Sequence, residues 1–261
     1  MIDFNKAKES FVNYLKKYDV NDSKMKLKIK HTYEVVKQSE FIAKSLGLDN
    51  ENIELAKLIG LLHDIGRFEQ IKLTSDFVDN SKIDHADYGA KVLFENNLIR
   101  SFIETNKYDK LIEKSIINHN KYKIEEGLDK NVELHCKIIR DADKIDNFRV
   151  KEVENFKDIF PNVYNPKTIY YSKISPKVYS DFMKGKCIDV KNRITQLDYW
   201  VCVIGFIFDL YFDISKKYIL DKNYINILID RIQYKDEETK KQMEDIRKFA
   251  NNYLKETISN K

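Results

Sequence analysis

The chain has 261 residues, with 46 Lys and Arg against 42 Asp and Glu for a formal net charge of +4. That weak excess is spread along the whole length, so the concentrated basic face of a nucleic-acid binder is not expected. With 43 % hydrophobic residues the chain can bury a sizeable core, and its three scattered cysteines, Cys136, Cys187 and Cys202, exclude a disulfide scaffold and suit a reducing cytoplasm.

Seven glycines and three prolines, with apolar residues recurring three and four apart, predict an all-α fold. Lys6, Lys8 and Glu9 interrupt any apolar run at the start, so no signal peptide is expected. Helices are predicted over 4–18 and over 24–46, the second closed by Gly47 at the C′ position. The next covers 52–63 and is apolar on nearly every side, which marks it as central. Another begins at Asp84, an N-cap for the helix carrying Tyr88, Val92 and Leu93. Further helices are expected over 108–119, 132–148 and 175–183, the last with Pro176 in its first turn, and then over 195–211, 224–234 and 237–258.

The apolar stretch from Tyr199 to Phe212 is too short to span a bilayer and carries Asp209, so it reads as a buried core helix. Irregular signals gather between 156 and 175, where Pro161 and Pro166 lie. The expected organisation is a core over 1–155 and a C-terminal helical extension over 156–261 packed on it as one globular unit. No repeat or low-complexity tract is visible.

The chain has five histidines. His31 shares a helix face with Val35 and Ile42. His63 and Asp64 end the central apolar helix, where Gly60, one turn earlier, leaves room beside the carboxylate. His119 follows Ile112 and Ile116 on one face, and Asp143 follows Ile139 by one turn in the segment RDADKID. A lone inward histidine is usually a satisfied core residue. An imidazole next to an ionised carboxylate at the end of an apolar helix has no packing purpose, and a divalent metal would satisfy both.

The order His31, His63-Asp64, Asp143 resembles the H…HD…D signature of the HD superfamily of metal-dependent phosphohydrolases. The words LIGLLHDIGRF and DADKIDNFR resemble that family's local motifs, and the match covers about 28–149. The resemblance implies a helical HD core with His31, His63, Asp64 and Asp143 around a metal. Asp141 competes with Asp143 for the last place, while Asp141 and Asp146 otherwise read as helix-surface or supporting groups. His85 and His119 complete the order of two-metal members, with Asp64 bridging. Four imidazoles and two carboxylates suit Mn, Fe, Co, Ni or Zn. His135 is read as a supporting or core residue.

The implied activity is hydrolysis of a phosphate ester or phosphoanhydride, of a nucleotide in the first instance, by a metal-activated hydroxide positioned by Asp64. Arg67 would clamp the phosphate, its bland alternative being an ion pair with Glu69 or another acid. Lys144 is a second candidate for the same work and Arg149 a third for contacting substrate. The same ligand set also resembles the mixed-valent di-iron oxygenases of the superfamily, which cleave C–C or C–P bonds. A non-catalytic nucleotide-sensing or partner-binding module is the third reading. The expected setting is cytoplasmic, with no membrane or nucleic-acid partner, and the C-terminal hundred residues are a candidate interface between copies.

Overall fold

The computed structural model describes residues 2–75, 79, 83–95, 97–160, 165 and 168–259. Every regular element among the described residues is helical, as the spacing predicts. The chain divides into two compact units, Met1–Asp143 and Lys144–Lys261.

The first unit contains α1 (Phe4–Leu15), α2 (Ser23–Ser45), α3 (Asn50–Leu62), α4 (Ile65–Thr74), α5 (His85–Phe94), α6 (Asp109–Asn118) and the first part of α7 (Lys130–Val153). Helix starts follow the carboxylates. Asp3, Asp22, Asp49 and Asp84 each accept from backbone N–H groups of the first turn, satisfying donors that have no partner inside the helix. At the other end of α2, Gly47 takes φ +68°, and the Leu48 N–H reaches back to the Ala43 carbonyl at 3.2 Å.

Helix α3 is the hub. Leu55, Ala56 and every residue from Leu58 to Leu62 are buried, and α2 packs along it with Val36 and Ser39 against Gly60. A Cβ at Gly60 would stand 3.0 Å from Ser39 Oγ and 3.2 Å from Val36 Cα. The room that Gly60 leaves is therefore taken by α2, not kept open beside Asp64. Against α4, Phe11, Tyr14 and Tyr18 form an aromatic cluster with Phe68, whose ring centre is 5.7 Å from that of Phe11.

Helix α4 lies outside the sequence expectation. It begins directly after Asp64, and that residue holds the N-cap position with no side-chain cap hydrogen bond. α4 and α5 cross at glycines: a Cβ on Gly66 would lie 2.7 Å from the Gly89 nitrogen and 2.9 Å from its Cα, and would also strike the His85 carbonyl. This close approach brings the first turn of α5, with His85, up against the start of α4.

The second unit holds α8 (Phe156–Ile159), α9 (Pro176–Phe182), α10 (Gln196–Ile204), α11 (Asp213–Asp221), α12 (Tyr224–Asp230) and α13 (Glu237–Ser259). Its core centres on Trp200, fully buried, whose indole N–H donates to the Leu228 carbonyl at 3.0 Å. Phe156 and Phe160 pack against the indole ring, and Phe182, Phe208 and Phe249 meet one another edge to face. The helix predicted over 195–211 is shorter: α10 stops at Ile204 and a 3-10 turn, Gly205–Asp209, carries the chain on. The buried Asp198 accepts from the Ser175 and Thr195 backbones, which locks its start. α8 and α11 also go beyond the predicted elements. Pro161 and Pro166, the irregular signals near the expected boundary, lie outside the described residues. Among the described residues, no helix is long and apolar enough to cross a membrane.

The Gly66–Gly89 crossing leaves no space for a methyl group. Gly66→Ala is expected to destabilise the protein by about 1–3 kcal/mol, the usual cost of overpacking, read as a lower urea midpoint. It should also displace His85, whereas Gly127→Ala, with open space around it, should leave that imidazole in place.

Candidate metal centre

The site is assembled almost entirely at helix ends. His31 stands inside α2 and Asp143 inside α7. His63 is the C-cap of α3, Asp64 the N-cap of α4, His85 the first residue of α5 and His119 the C-cap of α6. His63 and His119 therefore end their helices. Each uses its ring to satisfy a carbonyl of its own last turn: His63 Nδ1–H donates to Gly60 O at 2.8 Å, and His119 Nδ1–H to Ile116 O at 2.6 Å. A carbonyl can only accept, so each of these rings carries a proton on Nδ1, and the tautomer with Nδ1–H keeps its lone pair on Nε2.

Asp64 is the centre of this arrangement, buried at 3 % exposure. Its two oxygens face different histidines. Oδ2 lies 3.6 Å from both His31 Nε2 and His63 Nε2, while Oδ1 lies 3.4 Å from His85 Nε2 and 3.8 Å from His119 Nε2. Asp143 joins the first group, with Oδ1 3.1 Å from His31 Nε2 and 3.9 Å from His63 Nε2. Two clusters result, His31–His63–Asp64 and Asp64–His85–His119, each with ligand atoms close enough to hold one ion.

Of the carboxylates in RDADKID, Asp143 is the one beside the histidines. Asp141, two residues away on the same helix, projects to another side and is fully buried. Asp146 is buried too, gripped by Arg149 through Nε at 2.5 Å and Nη2 at 3.0 Å. Both being buried, the helix-surface reading of these two carboxylates does not hold, and the supporting one is left. His135 lies in the core, its Nε2 paired with Asn52 Oδ1 at 3.0 Å.

The donor set suits a cation. At His85, Nδ1–H donates to Asp79 Oδ2 at 2.7 Å, so its Nε2 is also an unprotonated lone pair. The Nε2 atoms of His85 and His119 are 3.0 Å apart. With both Nδ1 protons committed, neither can donate to the other, and two lone pairs are left facing across a buried gap. A divalent ion between them would resolve that repulsion.

Three residues that sequence reading passed over complete the surroundings. Lys28, one turn before His31 on α2, places Nζ 2.6 Å from Asp64 Oδ2. Burial works to raise the Asp64 carboxyl, but the Lys28 charge and the neighbouring imidazoles hold it well below the usual range. Asp79 accepts from His85 and from Arg67. The buried Arg140 donates from Nη1 to the carbonyls of Asn118 at 2.8 Å and Lys121 at 2.5 Å, pinning the turn that follows His119. A cation three residues before a histidine, or at the head of RDADKID, was the only sequence signal for any of them.

The expected substrate cations have these positions. Arg67 holds Nη1 2.8 Å from Asp79 Oδ1 and Nε 3.7 Å from Asp64 Oδ1. Its acidic partner is thus Asp79, while Glu69 accepts from the Tyr18 hydroxyl. Lys144 pairs with Asp209 at 2.8 Å, and Arg149 with Asp146 as above.

Burial sets the proton affinities. It lowers His63 to about 3, and His85 and His135 to about 4, from the ordinary 6.5. The unfolded chain binds these protons at a higher pH than the folded one. The metal-free protein should therefore keep full stability above about pH 7 and lose about 1.4 kcal/mol per pH unit for each group below 6.5. Urea midpoints of metal-free protein at pH 7.5 and 5 test this: a clear fall at pH 5 is expected, and equal midpoints would contradict it.

The HD domain family model matches residues 29–147, a span that contains the five residues of the two clusters and Asp143. No curated protein and no solved structure matches the chain. HD domains bind divalent metals, and most of the superfamily are metal-dependent phosphohydrolases. The helical fold and the His63-Asp64 pair are compatible with that match: residues 29–147 fit the HD domain family.

Proposed function

We propose that the chain is a metal-dependent phosphohydrolase that binds two divalent ions and cleaves a phosphate ester or phosphoanhydride, most simply in a nucleotide. One observation carries this reading: the two oxygens of Asp64 are divided between two pairs of imidazoles. A single-ion site has no use for that division.

His31, His63, Asp64 and Asp143 would hold one ion, and Asp64, His85 and His119 the other. Divalent ions there supply an acidified water and positive charge against the phosphoryl oxygens. The protein's own part is positional. Gly60 O and Ile116 O fix two imidazoles as Nε2 ligands, and the buried Asp64 orients toward both groups without searching rotamers. Lys28 donates to Asp64 Oδ2 and offsets its charge, and would have to give up that oxygen if it were to hold an ion. Arg67, whose head already spans from Asp64 to Asp79, is the cation placed to meet a phosphate at the same carboxylate. Lys144 and Arg149 would serve substrate only by leaving Asp209 and Asp146.

Metal analysis of purified protein should find two ions per chain, and a screen of mononucleotides, dinucleotides and cyclic dinucleotides should show phosphate-ester cleavage. His63→Ala/Asp64→Ala should lose both the ions and the activity; cleavage that persists in it would refute the site. Cleavage should continue under argon with Mn supplied, whereas strict dependence on O₂ would favour the oxygenase chemistry of the superfamily. Metal binding with no turnover across the screen would favour a sensing module.

Arg67→Ala should lower kcat/KM by about 10²–10³, as expected for loss of one charged donor to a developing oxyanion. Arg67→Lys should recover only part of it, since an ammonium cannot bridge two oxygens in one plane.

A further inference from the structure

Asp79 lies on the connection between α4 and α5, and its carboxylate gathers four donors. His85 Nδ1–H gives at 2.7 Å, Arg67 Nη1 at 2.8 Å, Gln70 Nε2 at 3.0 Å and the His85 backbone N–H at 3.3 Å. Burial alone would raise its carboxyl, but the His85 hydrogen bond and the Arg67 charge hold it well below the usual range.

We propose that Asp79 is the positioning residue of the second half of the metal centre, setting which nitrogen of His85 is free to bind an ion and tying that imidazole to Arg67. The metal side of this proposal rests on the two-ion reading above; the proton position does not. A neutral imidazole has one ring proton, and a carboxylate can only accept one. With Asp79 at Nδ1 the proton stays there, and Nε2 faces Asp64 Oδ1 at 3.4 Å and His119 Nε2 at 3.0 Å as a lone pair. The other polar group near Nδ1 among the described residues is the Asn120 side-chain amide nitrogen at 3.4 Å, itself a donor. Remove the Asp79 carboxylate and the preference reverses. Nδ1 then accepts from Asn120, the ring proton moves to Nε2, and Nε2–H donates a hydrogen bond to Asp64 Oδ1. An imidazole protonated at Nε2 has no lone pair for an ion at that atom.

The contrast with His63 and His119 makes the effect selective. Their Nδ1 protons go to backbone carbonyls, which no side-chain substitution removes. His85 is held instead by a side chain, so the Asp64–His85–His119 cluster depends on Asp79 while the cluster of His31 and His63 does not. Arg67 shares Asp79 Oδ1 with Gln70 and the His85 backbone, so the same carboxylate places the phosphate cation and the ligand together.

The test is Mn and Zn titration of the full chain as wild type, Asp79→Asn and Asp79→Ala, with ¹⁵N NMR of the histidine rings in metal-free protein. In D79A the first ion should bind as in wild type and the second should weaken on the order of 10–100-fold, the usual effect of losing a carboxylate behind a ligating histidine. D79N, whose amide oxygen still accepts, should fall between. The His85 ring should be Nδ1–H in wild type and Nε2–H in D79A. Two ions at wild-type affinity with His85 still Nδ1–H in D79A would overturn the proposal. If D79A does not fold, D79N at an unchanged thermal midpoint decides: a weakened second ion supports the assignment and two undiminished ions overturn it. A wild type that takes up fewer than two ions would count against the two-ion reading, and the ring proton would still decide the role of Asp79.

Discussion

A carboxylate taken out of water must be repaid several kcal/mol by its surroundings, and the first unit is organised around meeting that cost for Asp64. The ammonium of Lys28 stands 2.6 Å from one oxygen, the guanidinium of Arg67 approaches the other, and four imidazoles divide between the two. Even the local helix start yields to it. Asp64 occupies the N-cap of α4, where an aspartate ordinarily accepts from the first turn, yet its side chain makes no such bond because both oxygens are turned to the histidines. The chain gives up a helix cap so that this carboxylate can face a cation.

Helix ends supply the rest of the site for a related reason. The last turn of a helix has carbonyls without partners, and an imidazole placed at the C-cap can satisfy one of them with Nδ1–H. α3 and α6 both do this, and the hydrogen bond that finishes the helix also points Nε2 into the site. Close backbone approach then sets the spacing. Gly60 admits α2 against α3, Gly66 admits α5 against α4, and Arg140 ties the turn after α6 to the carbonyls of Asn118 and Lys121. Small residues and one buried arginine do here what loops of defined shape do in other folds.

The second unit is held by different means. Trp200 and the phenylalanines around Phe182 fill its centre, and Asp198 and Arg231 satisfy the irregular backbone between its short helices, Arg231 through the carbonyls of Lys151 and Glu154. Lys144 and Arg149, at the end of α7, belong to this unit's own ion pairs.

The candidate ligands were legible in the sequence because burying a bare imidazole or carboxylate is too costly to be accidental. Helical spacing put His31, His119 and Asp143 on apolar faces, and the adjacent His63-Asp64 was already anomalous for a packed helix end. The all-α fold followed from the same periodicity. What no local pattern holds is the partnership of distant groups. α4 was hidden because its start has no cap bond to signal it, and the helix predicted over 195–211 broke because packing, not propensity, decided where α10 ends. Lys28, Asp79 and Arg140 look like ordinary surface charges in sequence; only folding brings them to a carboxylate, an imidazole and two carbonyls. The motif resemblance favoured Asp143 over Asp141, and the rotation of α7 places Asp143 against His31. The sequence by itself determined which atoms could bind a metal. The tertiary structure decided how Asp64 divides its oxygens and which nitrogen of each imidazole is left open, because both depend on hydrogen bonds made across helices.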